Sequence, residues 1–447
     1  MNKSTLTLAV AVGVLAQQAS AAGFIEDSKA TLGLRNFYIN TDYRDGTGPN
    51  KNEEWGQGFD LRFISGYTQG TVGFGVDAIG LLGVKLDSGG GTNGATATSY
   101  GGTVFPSKSN GEAVDDFSSL GLTAKAKVSQ TELKLGTLQP KLPVIVTNDG
   151  RLLPQTWQGG QISSNDIKDL TLIGGQIEQA KGRNSSNNQQ LSISGANGRS
   201  ATARDSNKFI YAGGDYKITK DLTAQYYYGN LEDFYKQHFL GLVHNWAIGP
   251  GVLKSDFRYF NSSDDGANGH NPLYYSTGNY SGVPNGKGQV DNNLYSGLFL
   301  YSVAGHTFGG GYQVSNGSSD FPWLNQGDGS SNYTITDSQI QKFGRAGERT
   351  WLARYSYDFA KVGVPGLTAG MVYLHGDNID TVNARGAEAA NGASEWERDL
   401  TVGYVVQSGA LKNLGVMWKN ATWRTDLPST RSQDENRLIV SYSIPLL

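Results

Sequence analysis

The chain has no cysteine, three methionines, five histidines and twelve prolines among its 447 residues. Without cysteine there is no disulfide scaffold and no thiol chemistry, so stability has to come from hydrogen bonds and packing. No charge sign dominates: 37 basic and 40 acidic side chains leave a formal net charge of −3, which argues against general nucleic-acid binding. Long apolar runs are missing too. Beyond the first residues no window approaches the roughly 18 uninterrupted apolar residues of a membrane helix. What is plentiful is glycine, 61 residues, and tyrosine, 23 residues, poor material for helices but compatible with short strands and turns.

The first residues read as an export signal. Lys3 precedes an apolar run from Leu6 to Ala16, and Ala19-Ser20-Ala21 supplies the small residues that a signal peptidase needs. Residues 1–21 are therefore expected to be a cleaved signal peptide, with 22–447 the mature domain. A retained anchor fits less well, because about eleven apolar residues span only about half of a bilayer core as a helix.

Period-two alternation fills the rest. Leu120, Leu122, Ala124, Ala126 and Val128 alternate with Gly121, Thr123, Lys125 and Lys127, and the pattern recurs at Trp351–Phe359 and at Leu438–Ile444. Very short turns near 66–70, 129–130, 164–168, 219–221, 249–251, 304–306, 361–366 and 407–413 alternate with longer connections at 45–54, 87–117, 138–154, 181–206, 262–292, 315–348, 377–395 and 425–436 and a short one at 230–234. Eight turns and nine outer connections join eighteen strands, an even number that returns both termini to the periplasmic side of a bacterial barrel. Lipid cannot satisfy exposed backbone groups, so strands cross a membrane only as a closed sheet. The expected fold is an all-β, 18-stranded antiparallel transmembrane barrel with short periplasmic turns and long extracellular loops. Trp55, Phe59, Tyr226, Tyr228, Tyr259, Tyr301, Trp351, Tyr357 and Trp396 fall near strand ends, where an aromatic girdle is expected.

Parity assigns Arg35, Arg62, Lys125, Lys127, Lys134, Lys254, Arg258, Arg354, Lys419 and Arg437 to the interior, since each Lys or Arg facing lipid at mid-depth costs about 2–4 kcal/mol. Barrel closure makes the strands of Arg437, Arg35 and Arg62 neighbours, and this predicts a basic stripe. An aqueous wall also tolerates arginines simply paired to carboxylates. The third outer loop and the start of the following strand, LQPKLPVIVTNDGRLLPQTWQG, are too apolar to hang in water and are expected to fold into the lumen as a constriction, with Asp149 and Arg151 placing opposite charges across it. A surface or subunit-contact role is the alternative for this loop.

Several of these strings, GFIEDSKATLGLRNFYINTDYR, GTLQPKLPVIVTNDGRLLPQTWQG, YYYGNLEDFYKQHFLGL, LARYSYDFAKVGVPGL and ENRLIVSY among them, resemble the OprD family of substrate-specific outer-membrane porins over essentially the whole mature chain. The resemblance implies an eighteen-stranded barrel with an inward third loop, and facilitated diffusion of small carboxylate-bearing solutes guided by inward basic residues. The matching positions are Arg35, Arg62, Lys125, Lys127, Arg354 and Arg437, with Asp149 and Arg151 in the loop; Lys134 joins them by parity. The third-loop string looks more like the branch for aromatic or cyclic carboxylates than the branch for basic amino acids. The ending Ser443-Ile444-Pro445-Leu446-Leu447 departs from the aromatic C-terminal residue common in outer-membrane proteins. The expected surroundings are outer-membrane lipid and lipopolysaccharide, with weak homotrimer association and neither cofactor nor metal.

Two rival functions stay open on the residues alone. A barrel hydrolase would draw its base from His238, His244, His270, His306 or His375, although no Gly-x-Ser-x-Gly or His-Glu-x-x-His pattern occurs. An adhesin or receptor would use the loop 315–348, with Phe321, Trp323 and Leu324. Gly89-Gly90-Gly91 lacks the Lys-Ser/Thr of a phosphate loop, and Asp264-Asp265-Gly266 reads as a turn rather than a calcium site.

Overall fold

The computed structural model describes residues 21–46, 50–88, 102–193, 205–266, 290–325, 331–382, 388–428 and 430–447. Residues 1–20, which carry nearly all of the expected signal peptide, as well as Gly89-Gly90-Gly91 and His270, lie outside the described residues. Among the described residues no helix is long and apolar enough to cross a membrane.

Eighteen strands build the wall. In chain order they are β1 Lys29–Tyr43, β2 Lys51–Ile64, β3 Gly73–Asp87, β4 Asp116–Val128, β5 Thr131–Leu138, β6 Thr156–Ser164, β7 Leu170–Lys181, β8 Phe209–Lys217 and β9 Leu222–Leu231. The second half comprises β10 Tyr235–Ile248, β11 Gly251–Asp264, β12 Asp291–Val303, β13 His306–Gly317, β14 Arg349–Asp358, β15 Leu367–Val382, β16 Glu388–Val405, β17 Gly415–Thr425 and β18 Gln433–Pro445. Each pairs antiparallel with its chain neighbours, and β1 closes the sheet on β18: Arg35 stands opposite Gly58 on one side and Ser441 on the other. All eight expected turns fall where the sequence places them.

Exposure is inverted relative to a water-soluble protein. Leu120, Leu122, Leu240, Phe257, Phe299 and Trp351 are among the most exposed apolar side chains, all on the outward parity of their strands, where lipid rather than water is the solvent. The expected girdle aromatics share that outward parity. Buried apolar side chains instead fill part of the interior.

Loop 3, residues 139–155, crosses that interior. One flank, Val144 and Ile145, sits in a cluster with Trp157, Tyr227, Phe239, Phe260, Phe321 and Leu324; the other, Leu152 and Leu153, packs with Phe37, Ile39, Leu81 and Phe105. Each fully buried Leu or Ile contributes about 1.5–3 kcal/mol, enough to hold a loop inside a wet barrel. Glycines make room for it. A Cβ on Gly56 would approach Leu152 Cδ2 to 2.8 Å, and one on Gly58 would approach the Leu152 carbonyl to 2.9 Å.

Two expectations need correction. The connection expected at 377–395 is far shorter, because β15 and β16 continue past the apolar band to Val382 and from Glu388, with register shifts after Gly376 and Ile379. Above the membrane both faces of a hairpin meet polar surroundings, so backbone pairing persists after the alternation has vanished. The loop 315–348 does not present its apolar residues outward: Phe321 and Leu324 are buried with Phe260 and Leu294 in the interior cluster, and Trp323 packs against it. Of Asp264-Asp265-Gly266, Asp264 ends β11 and the chain turns at Gly266, whose φ is 62°.

Candidate functional site

Every basic residue assigned inward by parity does point inward, but the structure divides them by what they meet. Arg35 grips the tip of loop 3: Nη1 and Nη2 donate to the Asp149 carboxylate at 2.7 and 3.2 Å, and Nη1 also donates to the Arg151 carbonyl at 2.8 Å. Arg62 is clamped to Asp60 two residues earlier on the same face, at 2.8 Å, with its side chain still 41% exposed. Lys134 pairs with Glu132 at 3.0 Å and is 32% exposed.

The register turns three arginines into a descent. Arg437 stands opposite Ile39, Arg35 is on β1 itself, and Arg62 stands opposite Thr31. Since β1 runs outward from the periplasmic side, the order from outside to inside is Arg437, Arg35, Arg62, four residues or about 13 Å of strand per step. Arg35, Asp60, Leu152, Leu153 and Pro154 line a cavity of about 260 Å³. Arg62 and Lys134 meet at a second, about 270 Å³, with Asp77, Thr123, Thr137 and Gln161.

Other expected rungs are occupied. Arg437, 5% exposed, is bound to Glu435 on its own strand and donates to the Gln339 carbonyl of loop 7, residues 318–348, at 2.8 Å. Lys125, with a side chain only 3% exposed, lies 2.7 Å from Asp77, donates to the Ser65 carbonyl and sits over the Tyr67 ring, so it braces the periplasmic end rather than lining the path. Lys127 lies 5.7 Å above the same ring. On the far wall Arg354 and Arg258 donate to the carbonyls of Ile335 and Tyr333 in loop 7, and Arg258 is also held by Asp256. Lys254 lies 3.9 Å from Asp256. Asp149 and Arg151 do not oppose each other across an opening. Both point to the β18–β1 wall, Asp149 to Arg35 and Arg151 to Glu435 at 3.9 Å.

The wall is thus a mixed one. Asp60, Asp77, Asp399, Glu397 and Glu435 share the inward parity of the cations, and a reading that followed only Lys and Arg passed over them. Their signal was present in the alternation Glu395, Glu397, Asp399 of SEWERDL. Arg183, in the loop after β7, was also missed; it donates to Asn148 Oδ1 at 2.8 Å and backs the tip of loop 3 from the other side.

A closed eighteen-strand antiparallel barrel is matched in known proteins. The family model for the outer membrane porin, OprD family, covers residues 22–446. The chain belongs to the OprD family of outer-membrane porins. It is 39% identical to the porin-like protein GalP of Pseudomonas putida over 96% of this chain and 95% of that one. Porin D of Pseudomonas aeruginosa is 34% identical over 100% and 97% of the two chains. Among solved structures, Pseudomonas aeruginosa OccK8 (OprE) is 62% identical with a TM-score of 0.85, covering 95% of this chain and all of that one. OpdK of the same organism, solved with vanillate, is 37% identical with a TM-score of 0.81 over 95% and 100%.

As an OprD porin the protein is a channel of the Gram-negative outer membrane and not an enzyme. The histidines agree with that. His238, His244, His306 and His375 all lie on the outward parity of their strands among Tyr226, Trp246, Tyr357 and Trp351, and none of these four faces the lumen.

Proposed function

We propose that this porin conducts small carboxylate-bearing solutes, aromatic ones among them, by passing the carboxylate from Arg35 down to Arg62 and Lys134. The observation that carries the reading is the shared cavity of about 270 Å³ into which Arg62 and Lys134 both open, one step below Arg35. Each cation already holds a carboxylate, Arg35 that of Asp149 in loop 3 and Arg62 and Lys134 those of Asp60 and Glu132 on the wall, so a solute carboxylate gains only the difference between two similar partners. Conduction needs such weakness, because a site that holds too well does not release. Leu152, Leu153 and Pro154 beside Arg35 offer apolar surface to a ring, and the vanillate complex of OpdK supports the aromatic part. Lipid and lipopolysaccharide around the aromatic outer face, and weak homotrimer association, belong to the same proposal.

The test is the zero-current potential of single channels in a planar bilayer under a salt gradient. The double variant R62A/K134A is expected to shift it toward cations. An unchanged potential would contradict the guided descent.

A further inference from the structure

The end of loop 7 is a preformed finger. Ser338 N and Oγ both bond the Gln341 carbonyl, at 3.0 and 2.7 Å, Thr336 Oγ1 bonds the Lys342 carbonyl at 2.8 Å, and Lys342 pairs with Asp337. These bonds close a tight turn over 338–341 before it touches anything else.

The finger then lands on the inner wall. The amides of Ile340 and Gln341 donate to the two Glu397 oxygens at 2.8 and 2.9 Å, and the Gln339 amide donates to Asp399 Oδ2 at 3.1 Å. Gln339 Nε2 donates to Glu435 at 3.1 Å, and its carbonyl accepts from Arg437. Glu435 also faces Arg151 of loop 3, at 3.9 Å. The two inward loops therefore meet at one carboxylate. Glu397 is fully buried and Glu435 nearly so, and burial makes such charge-assisted bonds both strong and costly to leave unmade. A ladder of cations gives no reason for two carboxylates two residues apart on β16 to face the lumen; the backbone amides of the finger do.

We propose that Glu397 and Asp399 are positioning residues that seat the loop 7 turn 338–341 against the wall, so that this turn completes the constriction begun by loop 3 and its seat sets the pore's cross-section. The claim rests on the channel alone, not on carboxylate preference, and conductance rather than selectivity reads it. Single-channel recording in planar bilayers is the experiment, on E397A/D399A from the wall side and I340P/Q341P from the loop side. Proline has no amide hydrogen, so the second pair removes both donors to Glu397 without touching a strand.

Both variants are expected to show higher conductance and noisier open-channel current than the wild type. E397Q/D399N keeps oxygen acceptors for the three amides and is expected to return conductance to near the wild-type level. Wild-type conductance in both disrupted variants would overturn the proposal. So would E397Q/D399N conducting like the alanine pair, since charge rather than seating would then set the current. If E397A/D399A fails to insert, the proline pair, confined to the loop, decides.

Discussion

At the scale of single residues, exposure separates ion pairs that hold the barrel from those that serve its opening. Arg35 and Asp149 are 30% and 45% exposed, and such solvated pairs contribute about 0–1 kcal/mol. Their value is positional: they fix where the tip of loop 3 ends. Lys125 and Asp77 are 3% and 21% exposed, and removing one partner of a mostly buried pair leaves a charge without compensation. K125A is therefore expected to destabilise the folded barrel by about 3 kcal/mol, while R35A costs no more than about 1 kcal/mol. The urea midpoints of the two variants in lipid vesicles check this ordering; equal midpoints would mean that Lys125 faces water after all. Residue type and parity alone do not make this distinction. Both residues are inward cations, and only the position of Tyr67 and Ser65 under the first periplasmic turn shows that one of them is covered.

At the scale of elements, the legible parts are those whose environment is uniform along the chain. Strands within the apolar band alternate because one face meets lipid and the other the lumen, and all eighteen are visible for that reason. Past the band the alternation fails, and the tall hairpin of β15 and β16 reads as loop. Loop 3 declares itself through Leu142, Val144, Ile145, Leu152 and Leu153, an apolar load that needs cover. Loop 7 carries similar signals in Phe321, Trp323 and Leu324, but its finger is polar and is held by amide donors that no side-chain pattern encodes. The root of loop 7 is also ionisable. Glu348, buried beside Glu395 and Arg345, has its carboxyl held well above its ordinary value of 4.5, chiefly by burial and then by the neighbouring Glu395. Burial raises Asp320 as well. A raised carboxyl favours the seated loop fully at pH values below the ordinary range and progressively less as pH climbs through the raised value. Protease nicking within loop 7 is expected to increase from pH 5 to higher pH in the wild type, and that dependence is expected to weaken in E348Q and to be lost in D320N/E348Q. A wild-type rate that stays flat or falls over the same range would contradict it.

At the scale of the whole molecule, the polar half of the alternation makes a wet, charged interior crossed by two loops, and the apolar half makes the outer face. Closure of β1 on β18, antiparallel because the strand count is even, sets Arg437, Arg35 and Arg62 at successive heights on adjoining strands, and the proposed conduction uses the two lower ones. In the proposed conduction, the carboxylates beside Arg35 and Arg62 keep the descent from becoming a trap. Permeation into liposomes of an aromatic carboxylate and of its uncharged amide, two solutes of nearly equal size, tests this account most directly. The wild-type channel is predicted to pass the carboxylate faster than the amide, and R62A/K134A to lose that difference while still passing the amide. Equal rates for the two solutes through the wild-type channel would contradict it.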